Sequence, residues 1–492
     1  MLDFAKLHLH WRSNRKKGIE YRSYSLARSY RDGGKVRKEI VFKLGKLSDE
    51  DADKWRYLLR EFKNSPNMVS KEKIIALSGD RDIPITTLPA LLEATRKKRF
   101  DYTQADLDAD IQRYEEVGKR AFAEVKDPRV QDNVCYPFYG CLLMVLAATL
   151  AAASSIKAIQ EYIQQKTALL CPLIGISQPP SYSSLWWIIT RTNPAALNQV
   201  FIGWIKNVAA SLESGIRNIS IDGKTLRGAK DRPVHYVSAF ENNSGLLLGQ
   251  LKTEEKSNEI TTIPELLKVI DVDGALVTID AMGCQKEIVH DIRERGGHYI
   301  IALKGNQGNL HAEALNFFDQ ARSADYQDVP CSRATTANIG HGRIEKREIV
   351  VTTDLQWLEC RNEWRDLTTL IEIKSTRTIK GKTTEESRYY ISSKRMKAEE
   401  AGSGIRTHWG IENKLHWVLD VVFGDDKSRA NAGHAAENLG LFRRMAYCLL
   451  KQDTQGGRGF ASMQRKAMWN EDYVLQLLGR FIQQASQIVG DV

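Results

Sequence analysis

Residues 216–253 read IRNISIDGKTLRGAKDRPVHYVSAFENNSGLLLGQLKT, and their interpretation decides the fold. Three runs, IRNISIDGK (216–224), HYVSAFE (235–241) and GLLLGQLKT (245–253), are rich in apolar, β-branched and aromatic residues. Turn formers separate them, most clearly Asn242-Asn243-Ser244-Gly245, so each reads as a strand. Beyond them the period lengthens: EITTIPELLKVI (259–270) reads as a helix, ALVTIDA (275–281) as a strand, QKEIVHDIRERGG (285–297) as a helix ending at glycines, and HYIIALKG (298–305) as a strand.

The order βββαβαβ predicts an α/β domain of the RNase H-like kind, a mixed sheet with helices on both faces, to which one later helix is added. Upstream, LDADIQRYEEVGKRAFAEV (107–125), SIKAIQEYIQQKTALL (155–170) and PAALNQVFIGWIKNVAASL (194–212) are helix-like, with a helix entry in PPSYSSLWWIITRTNP (179–194). Downstream, GRIEKREIVVTTDLQWL (342–358) and TTLIEIKSTRTIKGKTTEESRYYISS (368–393) are strand-rich, with KGK (380–382) marking a hairpin turn. The expected organisation is a basic ribbon and helix at 1–63, a linker at 64–95, an all-helical domain at 96–212, the first part of the α/β core at 213–330, a β-rich insertion at 331–395, and the last core helix with a helical C-terminus at 396–492.

Charge is concentrated at one end. Residues 1–48 hold 13 Lys or Arg against 4 acids, hence +9 of the chain's +10. Two strand-like runs around Asp32-Gly33-Gly34 suggest a two-stranded basic ribbon, and its cations, Arg15, Lys16, Lys17, Arg37 and Lys38, suit a polyanion such as nucleic acid. A helix is expected in SDEDADKWRYLLREF (48–62), with Ser48 as its N-cap. Seven cysteines without a C-x-x-C pair fit a reducing compartment and no zinc knuckle. The first residues lack the apolar run of a signal peptide. The run PFYGCLLMVLAATLAAASS (137–155) falls short of the ~20 residues that span a bilayer and reads as a buried helix, so a cytoplasmic protein is expected.

Asp222 and Asp280 each follow a run of residues that should be buried, at the ends of the first and fourth strands. On neighbouring strands the two carboxylates would meet at one sheet edge, where two close anions repel unless a cation sits between them. Mg²⁺ or Mn²⁺ suits such an oxygen site, and a third carboxylate would complete a two-ion clamp on a phosphodiester. Glu412 in HWGIENKLHW (408–417) supplies one. His408, Glu412 and His416 also recur every four residues, so on an α-helix they share a face and a His-Glu-His metal clamp is geometrically open.

Residues from about 97 to 490 resemble insertion-sequence transposases of the group that includes the H-repeat-associated proteins, a branch of the DDE superfamily. The resemblance is carried by IDGKTLRG (221–228), EKSNEITTIPELL (255–267), VTIDAMGCQKEI (277–288), YIIALKGNQGNLH (299–311), HGRIEKRE (341–348), STRTIKGKTTEESRYYISS (375–393), HWGIENKLHWVLDVVFGDDKSRA (408–430) and GHAAENLGLFRRMA (433–446). It implies a catalytic, metal-holding triad on Asp222, Asp280 and Glu412, two Mg²⁺ ions, cutting of double-stranded DNA at the element's inverted-repeat ends, joining to target DNA, and a homodimer on DNA in the nucleoid. The Tyr, Arg and Lys that the wider superfamily places around this Glu correspond here to Ile405, His408 and Leu419. Arg406, His408 and Lys414 are then candidate DNA contacts, as are Lys224 and Arg227 after Asp222 and Lys304, Asn306 and Gln307 after the fifth strand.

Trp357 and Trp364 could stack on an unpaired base or pack in the insertion; Glu259 reads as a first-turn acid and Cys284 as a buried apolar residue. GIEYRSYSLARSYRDGGKVRKEIVFKLGKL (18–47) is similar to the opening of a different insertion-sequence transposase family, so the chain reads as a fusion. Two other functions stay open: a DNA-binding regulator that has lost catalysis, and a metal-dependent nuclease without strand transfer.

Overall fold

The computed structural model describes residues 7–16, 19–32, 35–46, 52 and 59, then 115–130, 134–211, 217–228, 233–253, 259–327, 329–340, 343–453 and 459–486. The chain divides into two compact units, Met1–Ala109 and Asp110–Val492.

The first unit corrects the expected two-stranded ribbon. It is a three-stranded antiparallel sheet of β1 (Leu7–Lys16), β2 (Ile19–Asp32) and β3 (Lys35–Lys46), with β2 in the middle. Leu7, Leu9 and Trp11 alternate with His8, His10 and Arg12, the period of a strand, but the density of polar residues hides it. Arg15 lies opposite Glu20, Lys16 opposite Ile19, Arg37 opposite Tyr30 and Lys38 opposite Ser29. Lys17, the linker and most of the helix expected at 48–62 lie outside the described residues; Ala52 and Leu59 are helical and buried.

In the second unit residues 115–121, within the helix expected at 107–125, are helical, and α1 (Phe138–Leu150), α2 (Ile156–Gln165), α3 (Tyr182–Arg191) and α4 (Pro194–Ala210) follow. Local chemistry starts three of them, since Ser155, Ser181 and Asn193 accept hydrogen bonds from N–H groups of the first turns of α2, α3 and α4. α1 is buried on all sides, which is why its sequence lacks a polar face. Among the described residues no helix is long and apolar enough to cross a membrane.

The sheet follows the expected order: β4 (Asn218–Leu226), β5 (Val234–Glu241), β6 (Leu246–Thr253), α5 (Glu259–Val269), β7 (Leu276–Ile279), α6 (Lys286–Glu294), β8 (His298–Leu303) and α7 (Gly308–Ser323). β4, β5 and β6 form an antiparallel meander, and β7 and β8 add in parallel beside β4, each after a crossover helix. The strand-rich block gives β9 (Cys331–Gly340), β10 (Arg343–Thr352), β11 (Thr369–Ile379) and β12 (Lys382–Ser392). These strands continue the same sheet, because β12 pairs with β8 from Tyr389↔Leu303 to Ser392↔Ile300. The nine-stranded order is β6-β5-β4-β7-β8-β12-β11-β10-β9. Lys380 and Gly381 join β11 to β12 with positive φ at both positions (50° and 78°), the backbone of a two-residue turn that suits right-twisted strands.

Alternation along the strands sorts the two faces. Ile219, Ile221, Val277, Ile279, Tyr299 and Ile301 pack in one core with residues of α5, α6 and α7. On the other face Leu276, Ile300, Ile349 and Ile371 pack against Ala398, Ala401 and Ile405 of α8 (Ala398–His408). A π-helical turn, Ile411–His416, and α9 (Trp417–Val421) follow α8; α10 (Ala435–Lys451), α11 (Phe460–Trp469) and α12 (Glu471–Ser486) end the described chain. The helices before and after the sheet share a core in which Leu142, Trp204, Phe442, Tyr447 and Phe481 meet Phe240 and Leu247.

Candidate active site

The site begins with strand register. Ser220↔Thr278 and Ile221↔Ile279 are partners on parallel β4 and β7, so Asp222 and Asp280 are the next residues along two adjacent strands. Both fall on the face of Ser220 and Thr278, opposite the Ile219 and Ile221 core. The expectation that Asp222 ends its strand is corrected: β4 runs on to Leu226 because β5 pairs with it to Leu226↔Val234, and only Asp280 stands at a strand end. There Asp280 Oδ1 accepts N–H bonds from Met282 (3.0 Å) and Gly283 (3.4 Å), which fixes the carboxylate. Asn306 and Gln307 donate to the Ala281 and Cys284 carbonyls (2.8 and 2.7 Å) and clamp the loop that follows.

Glu412 arrives from the helical side, on the π-helical turn, with its side chain exposed. The even α-helical spacing of His408, Glu412 and His416 is therefore replaced by a wider turn, in which the Trp417 N–H reaches back to the Glu412 carbonyl. Three contacts seat this segment on the sheet. His408 Nδ1 lies 3.0 Å from the Thr278 hydroxyl, which in turn bonds Ser220; Gly410 passes so close to Asn242 that a Cβ would stand 2.0 Å from its Oδ1; and the Lys414 ammonium donates to the Asn242 carbonyl at 3.3 Å.

Electrostatics tie the three carboxylates together. Asp222 is pushed up from its ordinary 3.8 to about 7, first by burial and then by the negative charges of Asp280, Glu412 and Glu259, against one stabilising bond from the Gly223 N–H. His416 Nδ1 lies 3.6 Å from Asp222 Oδ2, and burial together with the charges of Lys224 and Arg444 pushes its pKa down to about 3. Burial lowers His408 as well. Both rings are therefore neutral beside the carboxylates. Among the described residues, neither His408, Glu412 and His416 nor Asp222, Asp280 and Glu412 bring one ligand atom each within 4.8 Å of one another, whereas His290, Asp291 and Glu294 on the exposed side of α6 do. His408 turns to Thr278 and His416 to Asp222, so the His-Glu-His clamp is not formed, and the three carboxylates do not close to ligand distance of one another.

The other candidates separate by burial. Lys224 does not offer a free cation: it is buried, and its ammonium lies 2.6 Å from Asp420 Oδ2. Asn306, which is exposed, and Gln307, which is half-buried, donate their amides to the Asp280 loop. Arg227, Lys304 and Arg406 are exposed. Trp364 is buried, while Trp357 stacks on Phe317 at 4.5 Å with over a third of its surface exposed. Cys284 is fully buried, and its thiol is pushed up to about 12, unsuited to nucleophilic attack. Sequence reasoning missed Ser220, Thr278, Asn242 and Asp420. The first two carried a signal, being hydroxyl residues two positions before each Asp in otherwise apolar strands.

The carboxylate donor set fits hard divalent cations. A carboxyl raised by burial and by three neighbouring anions favours a positive charge, whether a proton or a metal.

Three family matches cover most of the chain: "Transposase DDE domain" at residues 213–449, "DDE_Tnp_1-associated" at 119–205, and "IS1634 family transposase, N-terminal domain" at 10–68. YncI of Escherichia coli O157:H7, named as a transposase, is 36% identical over 364 residues, covering 72% of this chain and 92% of that protein. YhhI of Escherichia coli K12, named as an H repeat-associated transposase, is 34% identical over 367 residues, with 72% and 95% covered. A solved piggyBac transposase complex with hairpin DNA aligns over 77% of this chain and 82% of that one, with a TM-score of 0.39 and 9% identity, too distant to bear on the fold. The chain belongs to the DDE transposases of insertion sequences, in the group of the H repeat-associated proteins, with an amino-terminal domain of the IS1634 kind.

Proposed function

We propose that this transposase cuts DNA at the ends of its element and joins the freed 3′-hydroxyls to target DNA, using Asp222, Asp280 and Glu412 on an RNase H-like core. The observation that supports this reading is the strand register that sets Asp222 and Asp280 side by side on β4 and β7, with Glu412 near enough for its charge to raise the Asp222 carboxyl. Asp222 from mid-strand, Asp280 from a strand end and Glu412 from a π-turn would hold two Mg²⁺ or Mn²⁺ ions. Bound there, the ions would supply Lewis acidity to the attacking and leaving oxygens of the phosphodiester.

The chain's own contribution is orientation. The Met282 and Gly283 N–H groups fix one oxygen of Asp280 and leave Oδ2 for a ligand. The neutral His416 ring packs beside Asp222 without competing as a cation. The exposed Arg227, Lys304 and Arg406, with Lys414 at the same π-turn, are the cations available to the DNA backbone. The basic sheet of the first unit, with Arg15, Lys16, Arg37 and Lys38, is proposed to recognise the terminal inverted repeats. Two ends need two active sites, so a homodimer on DNA is proposed, acting in the cytoplasm on the nucleoid.

The test is a supercoiled plasmid carrying the element's ends, incubated with full-length protein, Mg²⁺ and target DNA. Strand-transfer products support the proposal. Cleavage without joined products would leave a nuclease, and binding without cleavage a regulator.

A further inference from the structure

Behind Asp222, on the opposite face of β4, lies a buried polar pair that the triad does not use. Glu259, the first residue of α5, and His235 of β5 are each less than a tenth exposed, and Glu259 Oε1 lies 2.7 Å from His235 Nε2. The other ring nitrogen, Nδ1, lies 2.8 Å from the hydroxyl of Thr225, the β4 residue directly opposite His235 in register. This pair presses on one position of the strand. A Cβ at residue 223 would stand 2.3 Å from Glu259 Oε1 and 2.8 Å from His235 Nε2, so only glycine lets the pair reach the backbone there.

Gly223 directly follows Asp222 on β4, so the backbone that sets the Asp222 side chain is the backbone this pair touches. The two faces of the strand thus differ here: Asp222 projects from one, and on the other the bare Cα of Gly223 rests against the Glu259–His235 pair. A glycine inside a strand is otherwise a loose link, because it lacks the side chain that would restrict its backbone. An acid–imidazole pair bonded on to Thr225 is directional and fixes that link, whereas apolar packing would only fill the space.

We infer that Glu259 and His235 are positioning residues for Asp222, acting through Gly223 to hold its carboxylate in the orientation that binds a divalent cation. The inference rests on the proposed role of Asp222 as a metal ligand. It assigns Glu259 a place behind the strand, where it supports the site without ligating an ion.

The test is Mn²⁺ binding to full-length protein without DNA, followed through the paramagnetic resonance signal of free Mn²⁺, with thermal melting in chelator as the measure of folding. Glu259→Ala is expected to weaken Mn²⁺ binding by about 10- to 100-fold, the usual cost of losing an outer-shell partner. Glu259→Gln is expected to recover most of the affinity, since its amide can donate to the other His235 tautomer while Thr225 accepts from Nδ1. If Glu259→Ala does not fold, the paired variant His235→Phe/Glu259→Leu removes the polar link while keeping the volume, and the same weakening is expected of it. Mn²⁺ affinity unchanged in these variants, while Asp222→Asn abolishes binding, would overturn the positioning role and leave the metal site standing. Mn²⁺ affinity unchanged in Asp222→Asn would overturn the metal site and the inference with it.

Discussion

His408 Nδ1 lies 3.0 Å from the hydroxyl of Thr278, a contact that ties the helix leading to Glu412 to the strand that ends at Asp280. The two residues belong to different layers of the fold, and their contact is proposed to set where Glu412 stands relative to Asp280. His408→Ala removes one hydrogen bond, worth about 1 kcal/mol of stability. A carboxylate displaced by ~1 Å, however, costs about 100-fold in rate. DNA cleavage should therefore fall far more than the melting temperature. Equal cleavage by the variant and the parent would show that this contact does not orient Glu412.

Asp222 makes stability depend on pH in an unusual direction. Its carboxyl sits at about 7 in the folded protein against an ordinary 3.8. Between those values the native state holds a proton that the unfolded chain has lost, so this contribution is complete below about pH 4 and falls away as pH rises through about 7. In chelator, Asp222→Asn should melt higher than the parent at pH 8 and show a flatter melting profile from pH 4 to 7. Mn²⁺ should stabilise the parent at pH 8 and not the variant. Parallel melting profiles for the two proteins would refute the assignment.

Lys224 and Asp420 form a short pair at 2.6 Å with the lysine buried and the aspartate partly exposed. Lys224→Met leaves that carboxylate unpaired, which should cost about 2 kcal/mol, below the 3–5 typical of fully buried pairs because water still reaches Asp420. Adding Asp420→Leu should restore most of the loss. Chemical denaturation of the two variants measures this, and an unchanged midpoint for Lys224→Met would mean the ammonium is free to meet DNA after all.

Gly410 lets the π-turn lie against Asn242, where a Cβ would stand 2.0 Å from the amide oxygen. Gly410→Ala should push the turn outward and lower cleavage by about 10-fold or more through misplacement of Glu412. Asn242→Ala in the same chain should relieve the clash and recover part of the rate. Loss of activity that Asn242→Ala does not relieve would place the effect elsewhere.

Much of this was legible in the sequence because local pattern and burial agree. The runs at 219–221 and 276–279 are apolar apart from Ser220 and Thr278, so strands carrying Asp222 and leading to Asp280 stood out, though not that β4 continues past Asp222 through its pairing with β5, and the helix opening at Glu259 followed from its period. The π-turn at 411–416 was not legible, since an i, i+4 repeat of His, Glu and His looks the same in an α-helix; what widens it is seating on Thr278 and Asn242. Lys224 looked like a DNA contact because its partner Asp420 lies 196 residues away. The first strand of the basic sheet, 7–16, was hidden by its own charge, and the continuation of the sheet into 331–392 depends on the long-range pairing of Tyr389 with Leu303.

The proposed metal-dependent cutting by Asp222, Asp280 and Glu412 is tested most directly by comparing Asp222→Asn, Asp280→Asn and Glu412→Gln with the parent on duplex DNA carrying the element's end, with Mg²⁺ and with folding matched by melting. Each substitution should reduce strand cleavage by about 1,000-fold or more, the scale on which a preorganised electrostatic group contributes. Cleavage by any one of the three at the parent's rate would contradict the shared site.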